Sequence, residues 1–206
     1  MEEKLSIIKS WLGAGSINIF GPPMAGKDTQ GIRLAELLGA KFLSSGIIIR
    51  DMEKQLRKDY TKDGELIPTD LFYEWVLPYF KRPDLQDFPL VLSSIGRWSG
   101  EEDQVMSAAA DSDHAIKAVI LLNVSEAEAE HRFNEAKVLN DRGDRADDKN
   151  IETFYTRLKE FRTKTLPVIQ HYKSLGLLIE VNGHQIREAV FTEMIDKLYA
   201  KATSDQ

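Results

Sequence analysis

Apolar residues in this chain arrive in two rhythms. Short dense runs alternate with longer stretches in which apolar side chains recur every third or fourth place. The runs Ile17-Asn18-Ile19-Phe20, Pro89-Leu90-Val91-Leu92-Ser93, Ala118-Val119-Ile120-Leu121-Leu122-Asn123-Val124 and Leu177-Leu178-Ile179-Glu180-Val181 read as strands buried on both faces, as in a parallel sheet. Ala40-Lys41-Phe42-Leu43-Ser44 reads as a shorter strand. The three-to-four spacing predicts helices over 3–12, after residue 27 (Ile32, Leu34, Leu37, Leu38), and over 101–110, 126–138, 150–173 and 185–200. In 150–173, Ile151, Phe154, Leu158, Phe161, Thr165, Ile169 and Tyr172 share one face, and Pro167 is expected to kink it. Strands and helices in alternation predict an α/β fold, three layers deep (α/β/α), around a parallel five-stranded sheet. Two stretches interrupt the alternation. Residues 44–75 look like a helical insertion, and 138–148 are polar and charged, as a surface loop would be.

The 206 residues fit one domain with small insertions. No apolar run approaches the ~20 residues of a membrane span. The N-terminal segment lacks the apolar core of a signal peptide. Without cysteine, disulfides and Cys-ligated zinc are excluded. These features fit a cytoplasmic protein with no membrane partner. The net charge of −6 argues against a general nucleic-acid binder. A local basic site for phosphate is compatible with it.

Candidate chemistry concentrates after the first strand. Gly21-Pro22-Pro23-Met24-Ala25-Gly26-Lys27-Asp28-Thr29 lies between that strand and a predicted helix, the layout of a phosphate-binding loop. Glycines let backbone N–H groups turn inward around phosphate oxygens. The helix N-terminus adds partial positive charge, and Lys27 reaches the outer phosphates. A bare G-x-x-x-x-G-K arises by chance in about one chain in twenty of this length, so the strand and helix around it matter. The loop departs from the usual pattern: Asp28 stands where a Ser or Thr meets magnesium, and Thr29 comes one place late.

Phosphoryl transfer asks a protein for positive charge, positioning and exclusion of water. Arginine suits this, because its planar fork meets phosphate oxygens in pairs and stays charged. Most arginines are solvated surface groups, so their placement along the chain decides which ones count.

Seven segments in order resemble the adenylate kinase and nucleoside monophosphate kinase family. The loop is similar to G-x-P-G-x-G-K-G-T-Q. Leu43-Ser44-Ser45-Gly46-Ile47-Ile48-Ile49-Arg50 is similar to L-S-T-G-D-L-L-R, and Gly64-Glu65-Leu66-Ile67-Pro68-Thr69-Asp70 to G-x-L-V-P-D-E. Leu92-Ser93-Ser94-Ile95-Gly96-Arg97 falls where the family has L-D-G-F-P-R, and Val124 to Arg132 keeps a strand-to-helix arginine spacing. Arg145-Ala146-Asp147-Asp148 with Arg157-Leu158 matches R-x-D-D…R-L, and Thr165-Leu166-Pro167-Val168-Ile169 matches T-x-P-V-I. The resemblance implies a kinase-like domain over 16–206 with an N-terminal helical extension over 1–15. It makes 44–75 the monophosphate-binding subdomain and 138–148 a short lid.

The roles it implies are specific. Gly21, Pro22, Pro23, Met24, Ala25, Gly26, Lys27, Asp28 and Thr29 would hold ATP, with Arg132. Arg50 and Arg97 would grip the acceptor's phosphate, with Ser45, Ile67 and Gln104 near its base. Lys27, Arg97, Arg132, Arg145 and Arg157 would surround the phosphoryl group in flight. The implied partners are ATP, with magnesium, and a nucleoside monophosphate; a monomer is the family's common state. Ser45, a small hydroxyl where AMP enzymes of the family carry threonine, favours AMP. Departures from the pattern are Ser93 and Ile47 for two aspartates of the metal site, Met24 for the second loop glycine, Ala136 for a second arginine, and Glu101 for an adenine-reading glutamine. Asp28 is the acid gained, and so the candidate magnesium ligand, with Asp148 acting through water; the other reading of Asp28 is an acid favoured at a helix start. Two further readings share these residues: a kinase for another nucleoside monophosphate or small phosphorylated acceptor, and a catalytically weak nucleotide-binding protein.

Overall fold

The structure is a computed structural model that describes residues 2–61, 63–139 and 150–205. The dense apolar runs form five strands: β1 (Ser16–Phe20), β2 (Lys41–Ser44), β3 (Leu90–Ser93), β4 (Ile116–Asn123) and β5 (Leu178–Asn182). All are parallel, in the order β2-β3-β1-β4-β5. The three central strands are buried on both faces, which explains why their sequences hardly alternate. Their side chains do alternate between two cores. Ile17, Ile19, Val91, Ala118, Ile120 and Leu122 face one, while Phe20, Leu90, Leu92, Val119 and Leu121 face the other side.

On the first face lie α1 (Glu2–Leu12), α2 (Lys27–Leu38) and α9 (Arg187–Ser204). α5 (Glu101–Ala110) and α8 (Leu166–Ser174) cover the second. This is the three-layer α/β/α arrangement the pattern predicts. The connections after β1 and β3 leave in opposite directions, toward β2 and β4, although the two strands are neighbours. Such a switch point opens a crevice at the carboxyl ends of the strands. The loops 21–26 and 94–100 line it.

Between β2 and β3 the chain builds α3 (Ser45–Leu56), α4 (Thr69–Trp75) and two 3-10 turns (Leu77–Lys81 and Pro83–Leu85) around Ile48, Ile67, Phe72, Trp75 and Phe80. The helical insertion therefore runs ten residues beyond 75, into turns that carry Pro78 and Pro83 in their first two positions. α6 spans Glu126–Leu139.

The stretch 150–173 is not one kinked helix. It is α7 (Ile151–Glu160), a π-helical turn (Phe161–Thr165) and α8. Pro167 has no N–H to give Thr163, and its ring crowds that carbonyl. The helix meets this by widening to π spacing just before the proline. Phe161 and Thr165 stay buried through the wider turn. No helix among the described residues is long and apolar enough to cross a membrane.

Candidate active site

The phosphate loop leaves β1 at Gly21, which passes so close to β4 that a Cβ there would sit 3.0 Å from the Leu122 carbonyl oxygen. The loop turns through left-handed backbone at Met24 (φ 65°) and Gly26 (φ 86°), and Gly26 caps α2. A methionine thus occupies a conformation that glycine adopts without cost. Lys27 opens α2, and its Nζ donates to the carbonyls of Gly21 and Pro22, each at 2.9 Å. The ammonium is held over the mouth of its own loop.

A second loop, 94–100, is pinned from four sides. Buried Asn18 donates from Nδ2 to the Ile95 carbonyl at 2.8 Å, and the Ile95 N–H donates back to its Oδ1. The Ser94 N–H donates to the Ile19 carbonyl at 3.0 Å. Ser45 Oγ donates to the Ser94 carbonyl at 2.8 Å. Glu101, only 2% exposed, accepts the N–H groups of Arg97 and Trp98 on Oε2 and the Thr69 hydroxyl on Oε1. The loop is rigid because its backbone polar groups are satisfied in place, and what it presents is Arg97.

Arg97 is half-buried. Its Nε is cut off from solvent without a hydrogen-bond partner, and among the described residues its guanidinium makes no hydrogen bond or ion pair. Burial pushes its pKa down to about 10, helped by the neighbouring Arg157 charge and opposed by Glu160 and Glu101. Arg97 lines two adjoining cavities. One, of about 100 Å³, is walled by Ser45, Ile49, Ile67, Phe72, Trp98 and Glu101, with Arg50 and Arg157 also on it. The other, of about 80 Å³, is lined by Lys27, Arg50, Arg97 and Arg157, with Asp28 and Ser93. Four cations thus converge where the strands end. The first cavity is lined by both apolar side chains and cations, a mixture that suits a flat base carrying a phosphate. The second suits phosphate alone.

The insertion is fastened to α7 at this site. Gly64 (φ 85°) lies so near α7 that a Cβ would fall 2.6 Å from the Thr153 carbonyl oxygen and 3.0 Å from Arg157. The Leu66 N–H donates to Glu160, which also pairs with Lys164, and Lys164 lies 3.8 Å over the Trp98 ring.

Lys27, Asp28, Ser45, Arg50, Ile67, Arg97 and Arg157 are therefore gathered as the sequence suggests. Arg132 is elsewhere: its Nε donates to Glu128 at 2.8 Å, and a terminal nitrogen donates to the Gly183 carbonyl at 2.7 Å. It lines a third cavity of about 950 Å³, with Met24, Ala25, Gly26, Thr29, Ile32 and Ile186. That cavity shares Met24, Gly26 and Asp28 with the cation-lined one and has none of its four cations. Gln104 is exposed and lines none of the three; the residue of α5 that faces the acceptor cavity is Glu101. Arg145 and Asp148, with the loop 138–148 around them, lie outside the described residues apart from the backbone of 138 and 139. Sequence reading missed the turn before α9. Ile186 is 77% exposed, an isolated apolar side chain between Gln185 and Arg187, and all three line the third cavity.

Comparison with known proteins agrees over nearly the whole length. The chain is 30% identical to the adenylate kinase of a Thermus thermophilus strain over 191 residues, 89% of this chain and 97% of that protein. It is 32% identical to the adenylate kinase of a Mycobacterium species, over 90% of this chain and 96% of that protein. It is also 32% identical to that of Corynebacterium aurimucosum, over 80% and 90%. No family model matches the chain.

Proposed function

The chain belongs to the adenylate kinase family, and from that premise we propose that it transfers the terminal phosphoryl group of ATP reversibly to AMP, giving two ADP. The observation that carries this reading is Arg97, a guanidinium without a partner among the described residues, standing on the wall shared by a cavity with apolar side chains and one lined by four cations. An acceptor already bearing phosphate satisfies it, while a bare alcohol leaves it wanting.

ATP binds across the phosphate loop, with its base toward the third cavity, where Ile186 and Ile32 offer apolar surface beside Arg132. Lys27 exchanges its loop carbonyls for phosphate oxygens. The acceptor enters the first cavity, and Arg50 and Arg97 hold its phosphate. An acceptor phosphate oxygen bonds to the γ-phosphorus as the bond from that phosphorus to the bridging oxygen breaks, and ADP leaves with the electron pair. Charge spread over the moving group is balanced by Lys27, Arg97 and Arg157, the role that the family resemblance also gives to Arg132 and Arg145. Magnesium, when carried in with ATP, neutralises part of the phosphate charge.

AMP is favoured over uridylate by the acceptors that face the first cavity. The Ser45 hydroxyl proton is already spent on the Ser94 carbonyl, so its oxygen accepts. The Glu101 carboxylate also accepts when ionised. A base with an exocyclic amine meets both. Steady-state formation of ADP from ATP with AMP, CMP, UMP, GMP and dAMP tests the proposal. AMP is expected to be fastest by kcat/KM, and a tenfold preference for UMP or CMP would overturn the adenylate reading. Absence of transfer to every monophosphate would overturn the kinase reading.

A further inference from the structure

The second of the adjoining cavities is lined by four cations and one acid. That acid, Asp28, lies in the first turn of α2, but Gly26 is the residue at the helix cap. The Asp28 Oδ1 accepts a hydrogen bond from Ser93 Oγ at 2.7 Å. Ser93 ends β3, is 2% exposed, and so has little freedom to point elsewhere. Both residues face the cavity beside Lys27.

Phosphate-loop proteins in general hold the nucleotide's magnesium with a hydroxyl on the residue after the loop lysine and a carboxylate at the end of a nearby strand. Against that general pattern the two chemical groups have changed places here, while against the family motif, which has glycine after the lysine, Asp28 is an acid gained where Ser93 marks one lost. The carboxylate follows Lys27, and the hydroxyl ends the strand beside β1. Because the two side chains touch, the exchange leaves a carboxylate oxygen within one hydrogen-bond length of where a strand-end acid would carry it. Hard oxygen donors of this kind suit magnesium, which keeps several waters and needs one or two carboxylates beside the phosphates. Among the described residues no group of three or more acids or histidines gathers to hold a metal unaided, so phosphate oxygens would have to complete the site.

We propose that Asp28 and Ser93 form an exchanged magnesium-nucleotide site, in which Asp28 supplies the anionic oxygen and Ser93 fixes its direction. The proposal rests on the reading of the loop as an ATP site. It predicts an opposition that a structural role does not. Without metal, Asp28 repels triphosphate; with metal, it attracts the complex.

The test is calorimetric titration of ATP, in EDTA and in excess magnesium, into the wild type, Asp28→Asn, Ser93→Ala and the exchanged Asp28→Ser/Ser93→Asp protein. Manganese binding to the ATP complexes, read by electron paramagnetic resonance, is the second readout. Asp28→Asn should bind metal-free ATP about as tightly as wild type or up to tenfold tighter, yet lose tenfold or more of the affinity gained from magnesium. Ser93→Ala should lose part of that gain, and the exchanged protein should recover most of it. A change of equal size in both arms for Asp28→Asn, or an exchanged protein no better than Asp28→Asn, would overturn the proposal. Failure of the kinase reading is separable, because these titrations require no acceptor: a wild type that binds magnesium-ATP through Asp28 but phosphorylates nothing leaves this site standing.

Discussion

Replacing Arg97 with Met should make the empty protein more stable and weaken the acceptor site. The pKa of Arg97 is pushed down to about 10, roughly 2.5 pH units below the ordinary arginine value. At about 1.4 kcal/mol per pH unit this is a cost of about 3.5 kcal/mol for keeping the charge in the folded state. Arg97 as a whole is only half-buried, so about 2 kcal/mol is the better figure. The sign follows from the depressed pKa. The cost is present in full below about pH 10, and is relieved only as pH rises from there toward the unfolded arginine value. Methionine keeps most of the stem's volume and removes the charge. Denaturant unfolding at pH 7.5 should therefore show Arg97→Met more stable by about 1–2 kcal/mol, a thermal midpoint higher by roughly 2–8 °C at this chain length. AMP should raise the midpoint of the wild type much more than that of the variant, because one of the two charge-assisted contacts to its phosphate is gone. A variant less stable than wild type by more than about 1 kcal/mol, or one that AMP stabilises equally, would refute the argument from the unpartnered cation.

Other residues give smaller, separate effects. Met24→Gly should stabilise the protein by about 1 kcal/mol, because a side chain is removed from left-handed backbone at φ 65°; a lower thermal midpoint would show that Met24 packing outweighs the strain. Burial holds the Glu101 carboxyl above the ordinary range, against the pull of the Trp98 and Arg97 N–H groups. A raised folded pKa contributes stability below about pH 4 that is lost as pH rises through the folded value. Glu101→Gln should therefore gain on wild type between pH 4 and pH 7 in denaturant unfolding, and a constant difference across that range would count against a strained carboxylate. Glu160→Ala removes the acceptor shared by the Leu66 N–H and Lys164 and should cost about 2 kcal/mol. It should weaken AMP binding more than ATP binding, since it unfastens the insertion alone; equal losses of both would mean a general defect.

The sheet was legible because parallel strands covered on both faces must be densely apolar, and 17–20, 118–124 and 177–181 are. The phosphate loop was legible for a related reason, since strand, glycines and lysine follow one another without a break. What escaped the sequence depends on contacts between distant segments. Gln104 has the right chemistry to read a base, but Glu101, Val105 and Ala109 form the buried face of α5, and Gln104 stands beside it in solvent. The π-helical turn lies upstream of the proline that causes it, so a kink expected at Pro167 becomes a wider turn ending at Thr165. Ile186 gave no signal of its own, because one apolar residue before a helix has many ordinary explanations. Its place on the third cavity comes from how the turn after β5 meets the phosphate loop.

Reading Asp28 and Ser93 one position at a time suggests a lost metal site, since the strand-end acid is missing. In space the same pair suggests that the chemistry is kept, because the Ser93 hydroxyl and the Asp28 carboxylate lie 2.7 Å apart on the wall of one cavity. The distinction has an electrostatic side. Lys27, Arg50, Arg97 and Arg157 crowd one small cavity, and four like charges at close range oppose one another unless an anion lies among them. An acid at the end of β3 or at the start of α2 relieves that opposition about equally. It also sits at the positive end of the helix dipole only in the second position. The exchanged arrangement thus stabilises the empty site slightly better than the usual one, and exchanging the pair back by Asp28→Ser with Ser93→Asp should cost a few tenths of a kcal/mol of stability while leaving the magnesium-dependent affinity for ATP nearly intact.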